Sequence, residues 1–260
     1  MPKNPPPEQR RHGGLRRRWL IALAVVLGPA SAVQSQPSPP PVNECVILLH
    51  GLARTSASME SLQQALSAAG YQVVNHNYPS RQHPVAELGK LAIGPALQAC
   101  ASESRVHFVT HSLGGIVLRY YLQQEPLPQL GRVVMLGPPN QGSEVVDELR
   151  ELPGFAWING PAGLQLGTGA DELPRQLAKP EFSLGIIAGT RSINLLLSTL
   201  LPNPDDGKVS VASTRVDGMT DHISLPVTHP LMMRDEEVIA QTLHFLAAGR
   251  FTHPPSARPR

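Results

Sequence analysis

The sequence predicts an α/β fold with a mainly parallel central sheet and helices on both faces. Short apolar runs typical of buried strands alternate with longer segments whose apolar residues recur at helical spacing. Strands that alternate with helices imply a parallel sheet covered on both sides. The chain has 260 residues and no internal repeat, which is enough for one domain with a sizeable core.

The strand-type runs lie at 45–50, 71–77, 106–111, 132–136, 184–188 and 222–227. Helices are predicted at 57–69, 85–99, 114–124 and 235–248. The first helix places Met59, Leu62 and Leu66 on one face and is followed by Gly70, a typical C-cap. The second contains Gly94-Pro95, which predicts a kink or a split, because proline removes a helical hydrogen bond.

The start of the chain has the pattern of a secretory signal peptide. Arginines at 10–11 and 16–18 precede an apolar run at 19–27, and Ala30-Ser31-Ala32 matches a cleavage site. About nine apolar residues are too few to span a bilayer as a helix. We therefore predict export to the periplasm or the medium, with cleavage after Ala32. An uncleaved leader that anchors the protein to the membrane is the alternative.

We therefore divide the chain into signal peptide 1–32, Pro-rich linker 33–43, folded domain 44–250 and disordered tail 251–260. The formal net charge of +2 is concentrated in the leader and the tail. No basic stripe with interleaved aromatic residues is present in the sequence, so nucleic acid is not a predicted partner. Two isolated cysteines lack the spacing of a metal site.

The most informative motif follows the third strand. The apolar run from Val106 enters Thr110-His111-Ser112-Leu113-Gly114-Gly115, where a serine stands between a strand and a helix. This is the layout of a nucleophile elbow, G-x-S-x-G, with Thr110 at the position of the first glycine. Small residues are needed there because the strand and helix backbones approach each other closely.

A second motif lies about sixty residues upstream, where another buried-type strand ends in His50-Gly51-Leu52. Two further stretches follow the elbow, Leu136-Gly137-Pro138-Pro139-Asn140-Gln141-Gly142-Ser143 and Asp205-Asp206-Gly207-Lys208-Val209. On these motifs the chain resembles the α/β-hydrolase family, and within it the bacterial lipases and lipase-like esterases. The resemblance covers about residues 44–248, and Thr110 is its one departure in the elbow.

The resemblance implies an α/β-hydrolase fold and an acyl-enzyme mechanism on Ser112. The oxyanion hole would be formed by the backbone N–H groups of Leu52 and Leu113. The family's chain order of serine, acid and histidine then selects the remaining members of a triad. The substrates would be carboxylic esters with an acyl or lipid portion, and neither a metal nor an organic cofactor is needed. Transient contact with a lipid surface is a further expectation, and the oligomeric state stays open.

For the base, His229 and His222 fit by position. His229 follows the last predicted strand at its carboxyl end, where ligand sites of parallel sheets lie. His222 begins that strand, at the opposite end, and His244 falls inside the last helix. His50 and His111 flank the site and are expected to shape it. We therefore predict His229.

For the acid, the lipase pattern Asp-Gly-x-Val selects Asp206, which precedes Gly207 and Val209. Asp205 is the first alternative, followed by Asp217 and Asp221. Any of them could instead be an ordinary turn aspartate.

Residues 141–181 interrupt the strand–helix alternation, at the place where α/β hydrolases carry a lid over the serine. We hypothesise a small lid that presents Phe155, Trp157 and Ile158 to an acyl chain, with Phe155 and Trp157 as substrate-binding residues. Packing of these side chains as ordinary core under a loop is the alternative.

Cys45 and Cys100 would lie near each other, since the resemblance places their strands side by side. Export would permit a disulfide between them, which would stabilise the fold by about 3–4 kcal/mol. Two buried thiols are the alternative.

Two rival functions remain open at this stage. The same triad could serve another acyl transfer, on a phospholipid, a thioester or an amide, or transfer to an alcohol. The chain could also be a catalytically silent scaffold that binds an apolar ligand.

Overall fold

The computed structural model describes residues 1–4, 43–102, 104–193 and 195–253. Most of the predicted signal peptide and linker (5–42) and most of the predicted tail (254–260) lie outside the described residues. Phe251 is buried against Phe245, with ring centroids 4.9 Å apart. His253 bonds Asp221, so the packed body extends three residues beyond the predicted boundary at 250.

A six-stranded sheet forms the centre of the fold, with strand order β2-β1-β3-β4-β5-β6 and every neighbouring pair parallel. Its strands are β1 (Glu44–Leu49), β2 (Gln72–Asn75), β3 (Arg105–His111), β4 (Leu130–Leu136), β5 (Leu184–Gly189) and β6 (Asp221–Leu225). The predicted mainly parallel sheet is confirmed.

The α-helices within the described residues are α1 (Glu60–Ala68), α2 (Val85–Ala99), α3 (Leu113–Gln124), α4 (Glu144–Leu149), α5 (Phe155–Leu164), α6 (Leu173–Gln176), α7 (Leu195–Ser198), α8 (Val211–Thr214) and α9 (Glu236–Ala248). Short 3₁₀ turns precede α1 at Ser56–Met59 and α9 at His229–Arg234. None of the described helices has the length and apolar character that crossing a membrane requires.

The core consists of two layers, one on each face of the sheet. Successive side chains of a strand point to opposite faces, so Ile47 packs in the layer under α2 and α3 while Leu48 packs in the layer under α1 and α9. Leu62 and Leu66 of α1 are fully buried, as the apolar spacing of this helix predicts.

Helix α2 runs through Pro95 as a single helix, so of the predicted kink or split the split is wrong. Proline removes the hydrogen bond to the carbonyl four residues earlier, at Leu91. Leu91 is 42% exposed and Pro95 is also on the surface, so water can reach this carbonyl. The helix continues because the lost bond lies on its solvent face.

Cys45 and Cys100 form a disulfide, with their Cα atoms 5.9 Å apart. Cys45 lies on β1, and Cys100 follows α2 just before β3, the neighbour of β1. The bond closes a loop with a sequence separation of 55 residues. In the loop-entropy account it stabilises the fold by about 4 kcal/mol.

Candidate active site

Ser112 lies in a sharp turn between β3 and α3. Its backbone has φ 53° and ψ −121°, a conformation that non-glycine residues rarely adopt. The side chain is only half-buried, although both neighbours in the chain are buried. Strain of this kind persists where the surrounding structure enforces it, and here it lifts a hydroxyl out of the end of the sheet.

The glycines after Ser112 permit this turn. A Cβ on Gly114 would lie 2.7 Å from the carbonyl oxygen of Leu49, at the end of the neighbouring strand. A Cβ on Gly115 would lie 3.3 Å from Oγ1 of Thr110. The space at Gly115 explains how the elbow accommodates a buried threonine at a position where the motif usually has glycine.

His229 and Asp206 form a buried pair. Nδ1 of His229 donates to Oδ2 of Asp206 over 2.7 Å, and the backbone N–H of His229 donates to the Asp206 carbonyl. Oδ1 of Asp206 accepts from the backbone N–H groups of Lys208 and Val209 at 3.0 and 2.8 Å. Asp206 is fully buried and His229 is 7% exposed. Because Nδ1 carries the proton, Nε2 of His229 is left as a proton acceptor.

The two adjacent carboxylates, Asp205 and Asp206, have different hydrogen-bond partners. Asp205 accepts from the hydroxyl of Ser198 and from the backbone N–H of Gly207. Asp221 bonds the backbone of Phe251 and the His253 ring. Among the four candidate acids, all within the described residues, Asp206 is the one that forms a hydrogen bond with His229.

His222 lies at the second position of β6 and contacts the hydroxyl of Thr214 at 3.0 Å. Burial, together with the charge of Arg215, lowers the pKa of His222 to about 4. His229, by contrast, follows the carboxyl end of β6, at the same end of the sheet as Ser112. The structure thus brings the predicted serine, acid and base to one edge.

Of the two residues predicted for the oxyanion hole, Leu52 lines the same cleft as Ser112, and Leu113 follows Ser112 in the chain. Leu113 is the first residue of α3, so its N–H has no carbonyl partner within the helix. Gly51 approaches Ser112 closely, since a Cβ there would lie 3.2 Å from Cβ of Ser112. His50 stacks on Tyr78 with ring centroids 4.1 Å apart, and the Tyr78 hydroxyl donates to the His50 carbonyl. These contacts fix the loop that carries Leu52.

Ser112, Asp206 and His229 line one cleft of about 600 Å³. Most other lining side chains are apolar and come from the segment after β4 and from the segment between β5 and β6: Val145, Val146, Leu149, Phe155, Ile158, Leu166, Ile193, Leu197 and Val209. The insertion predicted at 141–181 therefore forms one wall of the cleft, through α4, α5 and the residues after them.

The two aromatic residues of the insertion differ in position. Phe155 is half-buried and lines the cleft. Trp157 is 84% exposed and is not among the lining residues. The next residue, Ile158, is 51% exposed and does line the cleft. Because Trp157 does not line the cleft, its position does not support the substrate-binding role predicted for it.

Three residues at this site carry features that the sequence motifs did not reveal. Arg54 and Lys208 line the cleft, and neither makes an ion pair within the described part of the chain. His111 contacts His229 with its ring and with Nε2. The position of His111 beside the serine was visible in the sequence, but its distance to a residue 118 positions later was not.

No group of three or more histidine, cysteine or acidic side chains in the described ranges is arranged to hold a metal ion. The polar groups at the cleft suit proton transfer and acyl chemistry.

A sequence profile described as "Alpha/beta hydrolase family" matches residues 46–254. The chain belongs to this family. No curated protein sequence matches it. The match begins within β1 of this α/β hydrolase, spans the other five strands and includes the three residues of the candidate triad.

Solved structures with the same fold include bacterial lipases and esterases. Mature Bacillus licheniformis lipase BlEst2 superposes with a TM-score of 0.64 at 18% identity, over 81% of this chain and 94% of that one. The metagenomic carboxyl esterase MGS0156 gives a TM-score of 0.51 at 18% identity, over 75% and 68%. Legionella pneumophila phospholipase PlaB gives 0.53 at 20% identity, over 66% of this α/β hydrolase and 45% of its own chain.

Proposed function

We propose that this protein is an exported serine hydrolase that cleaves carboxylic esters of acyl or lipid substrates. The observation that carries the proposal is the buried His229–Asp206 pair, which shares an apolar cleft with the strained Ser112. An activated serine needs a base within reach, and the base needs a partner that fixes its tautomer. Ser112 and His229 line the same cleft, and Asp206 is the hydrogen-bond partner of that histidine.

In the proposed mechanism, Oγ of Ser112 attacks the ester carbonyl and passes its proton to Nε2 of His229. Asp206 keeps the other ring nitrogen protonated and stabilises the imidazolium that forms. The N–H groups of Leu52 and Leu113 stabilise the oxyanion, and each such donor typically lowers the barrier by about 3–4 kcal/mol. His229 then protonates the leaving alcohol, and water releases the acyl group by the same route.

The walls of the cleft support an acyl chain as the bound portion of the substrate. Phe155 lines the cleft together with Ile158, Ile193 and further aliphatic side chains. Several apolar side chains of the cleft wall and its surroundings are exposed: Leu152, Trp157, Ile158, Ile193, Leu196 and Leu231. These residues favour a lid-like role for the insertion and transient contact with a lipid surface.

Hydrolysis of phospholipid esters is a second candidate, favoured by the cations at the cleft. Arg54 and Lys208 line it, and Asp206 is the one carboxylate among its lining residues. Asp206 is already bonded to His229 and two backbone N–H groups. An ester whose alcohol portion carries a phosphate would meet Arg54 and Lys208.

Export is proposed from the leader sequence and is supported by the Cys45–Cys100 disulfide, a bond that persists in oxidising compartments. Mass spectrometry of the protein recovered from a secreting host tests it. Cleavage after Ala32 gives a chain that starts at Val33, whereas an anchored form keeps residue 1 or 2.

The function is tested by hydrolysis of p-nitrophenyl esters from C2 to C16, with Ser112→Ala as the control. We expect turnover that falls by about 10⁴- to 10⁶-fold in the variant. A maximum at long chains indicates a lipase, and a maximum at short chains an esterase. A folded protein that neither turns over nor reacts with a fluorophosphonate would instead be a binding scaffold.

A further inference from the structure

A second cavity of about 490 Å³ carries an excess of positive charge. Its charged lining consists of Arg119, Arg175, Lys179, Arg215 and Asp217. Four cations against one carboxylate leave a formal excess of three positive charges. We call this cavity the cationic pocket.

Arg119, on α3, is the buried member of the cationic pocket. The residue is 5% exposed, and no carboxylate lies within ion-pair distance of it in the described part of the chain. Its two terminal nitrogens donate to the side chain and carbonyl of Asn140 and to the carbonyls of Leu177 and Ala178. Its Nε is buried and makes no hydrogen bond. Burial lowers the pKa of Arg119 to about 10, so it remains charged at neutral pH.

An arginine elsewhere in the chain shows the contrast. Arg150 lies 3.0 Å from Asp147 and 2.6 Å from Glu172, so two carboxylates compensate its charge. A buried cation without such compensation is costly, because desolvation disfavours the charge and no opposite charge offsets it. The cost at Arg119 points to a ligand that supplies the missing negative charge.

Gln141 forms hydrogen bonds with two other residues of the pocket, the side chain of Arg175 and the backbone of Arg215. Its amide nitrogen donates to the backbone carbonyl of Arg215 at 2.9 Å. Its amide oxygen accepts from a guanidinium nitrogen of Arg175 at 3.0 Å. Arg175, Lys179 and Arg215 make no ion pair within the described ranges.

The cationic pocket is separate from the active-site cleft, since the two share no lining residue. The chain between β4 and α4 divides them. Pro139 and Ser143 line the cleft, whereas Gln141 lines the pocket. An occupant of the pocket is therefore not the ester substrate.

We propose that the cationic pocket binds a phosphate group, either of a free phosphate compound or of an anionic lipid headgroup. Planar guanidinium groups form paired hydrogen bonds with phosphate oxygens. Arg175 and Arg215 are exposed and offer such groups, whereas the terminal N–H groups of Arg119 already donate to the protein. A phosphate monoester carries about 1.5 to 2 negative charges at neutral pH, which suits the excess of positive charge. The cavity also lies within the ordinary size range of small-molecule sites.

The test is calorimetric titration with inorganic phosphate at constant ionic strength, in parallel with binding to phosphatidylcholine vesicles with and without phosphatidic acid. The pocket variant is Lys179→Gln with Arg215→Gln, two exposed side chains whose loss leaves Arg119 in place. The matched control is Lys90→Gln with Arg105→Gln, which removes the same charge from exposed positions outside the pocket. Ester hydrolysis is measured for every variant, so a failure of the proposed function is seen separately.

We expect saturable phosphate binding that weakens about tenfold in the pocket variant and less than twofold in the control. Phosphate binding identifies a free anion as the ligand, and pocket-dependent binding to phosphatidic acid vesicles alone identifies a lipid headgroup. Either result supports the site. The proposal is overturned if neither probe binds, or if binding weakens equally in the pocket variant and in the control.

Discussion

The Nε2–H of His111 donates a hydrogen bond to the backbone carbonyl of His229 over 3.0 Å. The two rings also lie in contact, with centroids 4.7 Å apart. Burial, reinforced by the neighbouring His229, holds the pKa of His111 well below its ordinary value of 6.5. His111 is therefore a neutral donor. It links the residue next to the candidate nucleophile directly to the backbone of the candidate base.

The first prediction concerns this link. His111→Gln keeps a side-chain N–H, whereas His111→Phe keeps a ring but no donor. We expect the phenylalanine variant to lose about tenfold in kcat with little change in KM, because a displaced base affects the transition state more than binding. The glutamine variant should recover part of that loss. Steady-state kinetics on p-nitrophenyl butyrate checks this, and equal losses in kcat for the two variants would contradict the positioning role.

The second prediction separates two adjacent aspartates. Asp206→Asn leaves the shape intact but removes the acceptor that fixes the His229 tautomer, so kcat should fall by about 10⁴-fold. Asp205→Asn changes a carboxylate that bonds Ser198 and Gly207 instead. It should lower kcat by less than tenfold.

Thermal unfolding of both aspartate variants provides the control for folding. If Asp205→Asn lost as much activity as Asp206→Asn while remaining folded, the assignment of the acid would be wrong.

Much of this arrangement could be predicted from the sequence, for local reasons. The elbow is specified by Ser112, Gly114 and Gly115, since strain at the serine and the lack of a Cβ at both glycines are properties of a short segment. The distinction between Asp205 and Asp206 also followed a local pattern, Asp-Gly-x-Val, whose backbone N–H groups fold back onto Asp206.

Other features depended on packing between distant segments and could not be predicted in this way. Trp157 and Phe155 are two residues apart in one helix, and only the placement of α5 on the body decides that one faces the cleft and the other solvent. The charge of Arg119 was visible, but its burial without a carboxylate results from α3 packing against residues 140 and 177–178. Pro95 suggested a kinked or split helix, although α2 tolerates this proline because Pro95 lies on its exposed face.

The third prediction uses the difference between the two aromatic residues. Phe155→Ala removes part of the cleft wall, so we expect a lower kcat/KM for C8 to C16 esters and little change for C2 to C4 esters. Trp157→Ala removes an exposed ring that touches no part of the cleft. In solution it should leave the ratio of long-chain to short-chain activity near that of the parent protein.

At a lipid surface we expect Trp157→Ala to have the larger effect of the two aromatic variants. Trp157→Ala should weaken adsorption to an ester monolayer or emulsion, because exposed tryptophan supplies apolar contact area at an interface. Adsorption is measured at increasing emulsion area with Ser112→Ala as background. If Trp157→Ala changed chain-length selectivity in solution as strongly as Phe155→Ala, the proposed division between cleft wall and exposed surface would fail.

The fourth prediction is a loss of stability in mild acid. Burial and the charges of Arg132 and Arg105 lower the pKa of His107 to about 4, although Glu44 lies 3.4 Å from its Nε2. The pKa of His222 is lowered to a similar value, and that of His111 is also well below 6.5. These imidazoles stay neutral in the folded protein at pH values where the unfolded chain already protonates them.

The direction of this change in stability with pH follows from proton binding. Between pH 6.5 and about 4 the unfolded state binds more protons than the folded state, so the free energy of unfolding falls as the pH falls. The contribution of these histidines to the free energy of unfolding is fully present above pH 6.5. As the pH falls below that value, the contribution decreases by up to about 1.4 kcal/mol per pH unit for each group. Urea unfolding at pH 7.5, 6 and 5, with the disulfide intact, measures the slope.

His107→Gln isolates one of these groups. Nδ1 of His107 accepts a hydrogen bond from the backbone N–H of Arg132 at 2.9 Å. The side-chain oxygen of glutamine can accept the same bond, but glutamine cannot be protonated. We expect a lower free energy of unfolding at pH 7.5, from imperfect packing, together with a shallower dependence on pH between 6.5 and 4. Gln98→Asn, at an exposed position, changes no titratable group and is the control that should keep the parent slope. Because the slope is read separately from the absolute stability, a His107→Gln protein with the parent slope would show that another group causes the acid lability.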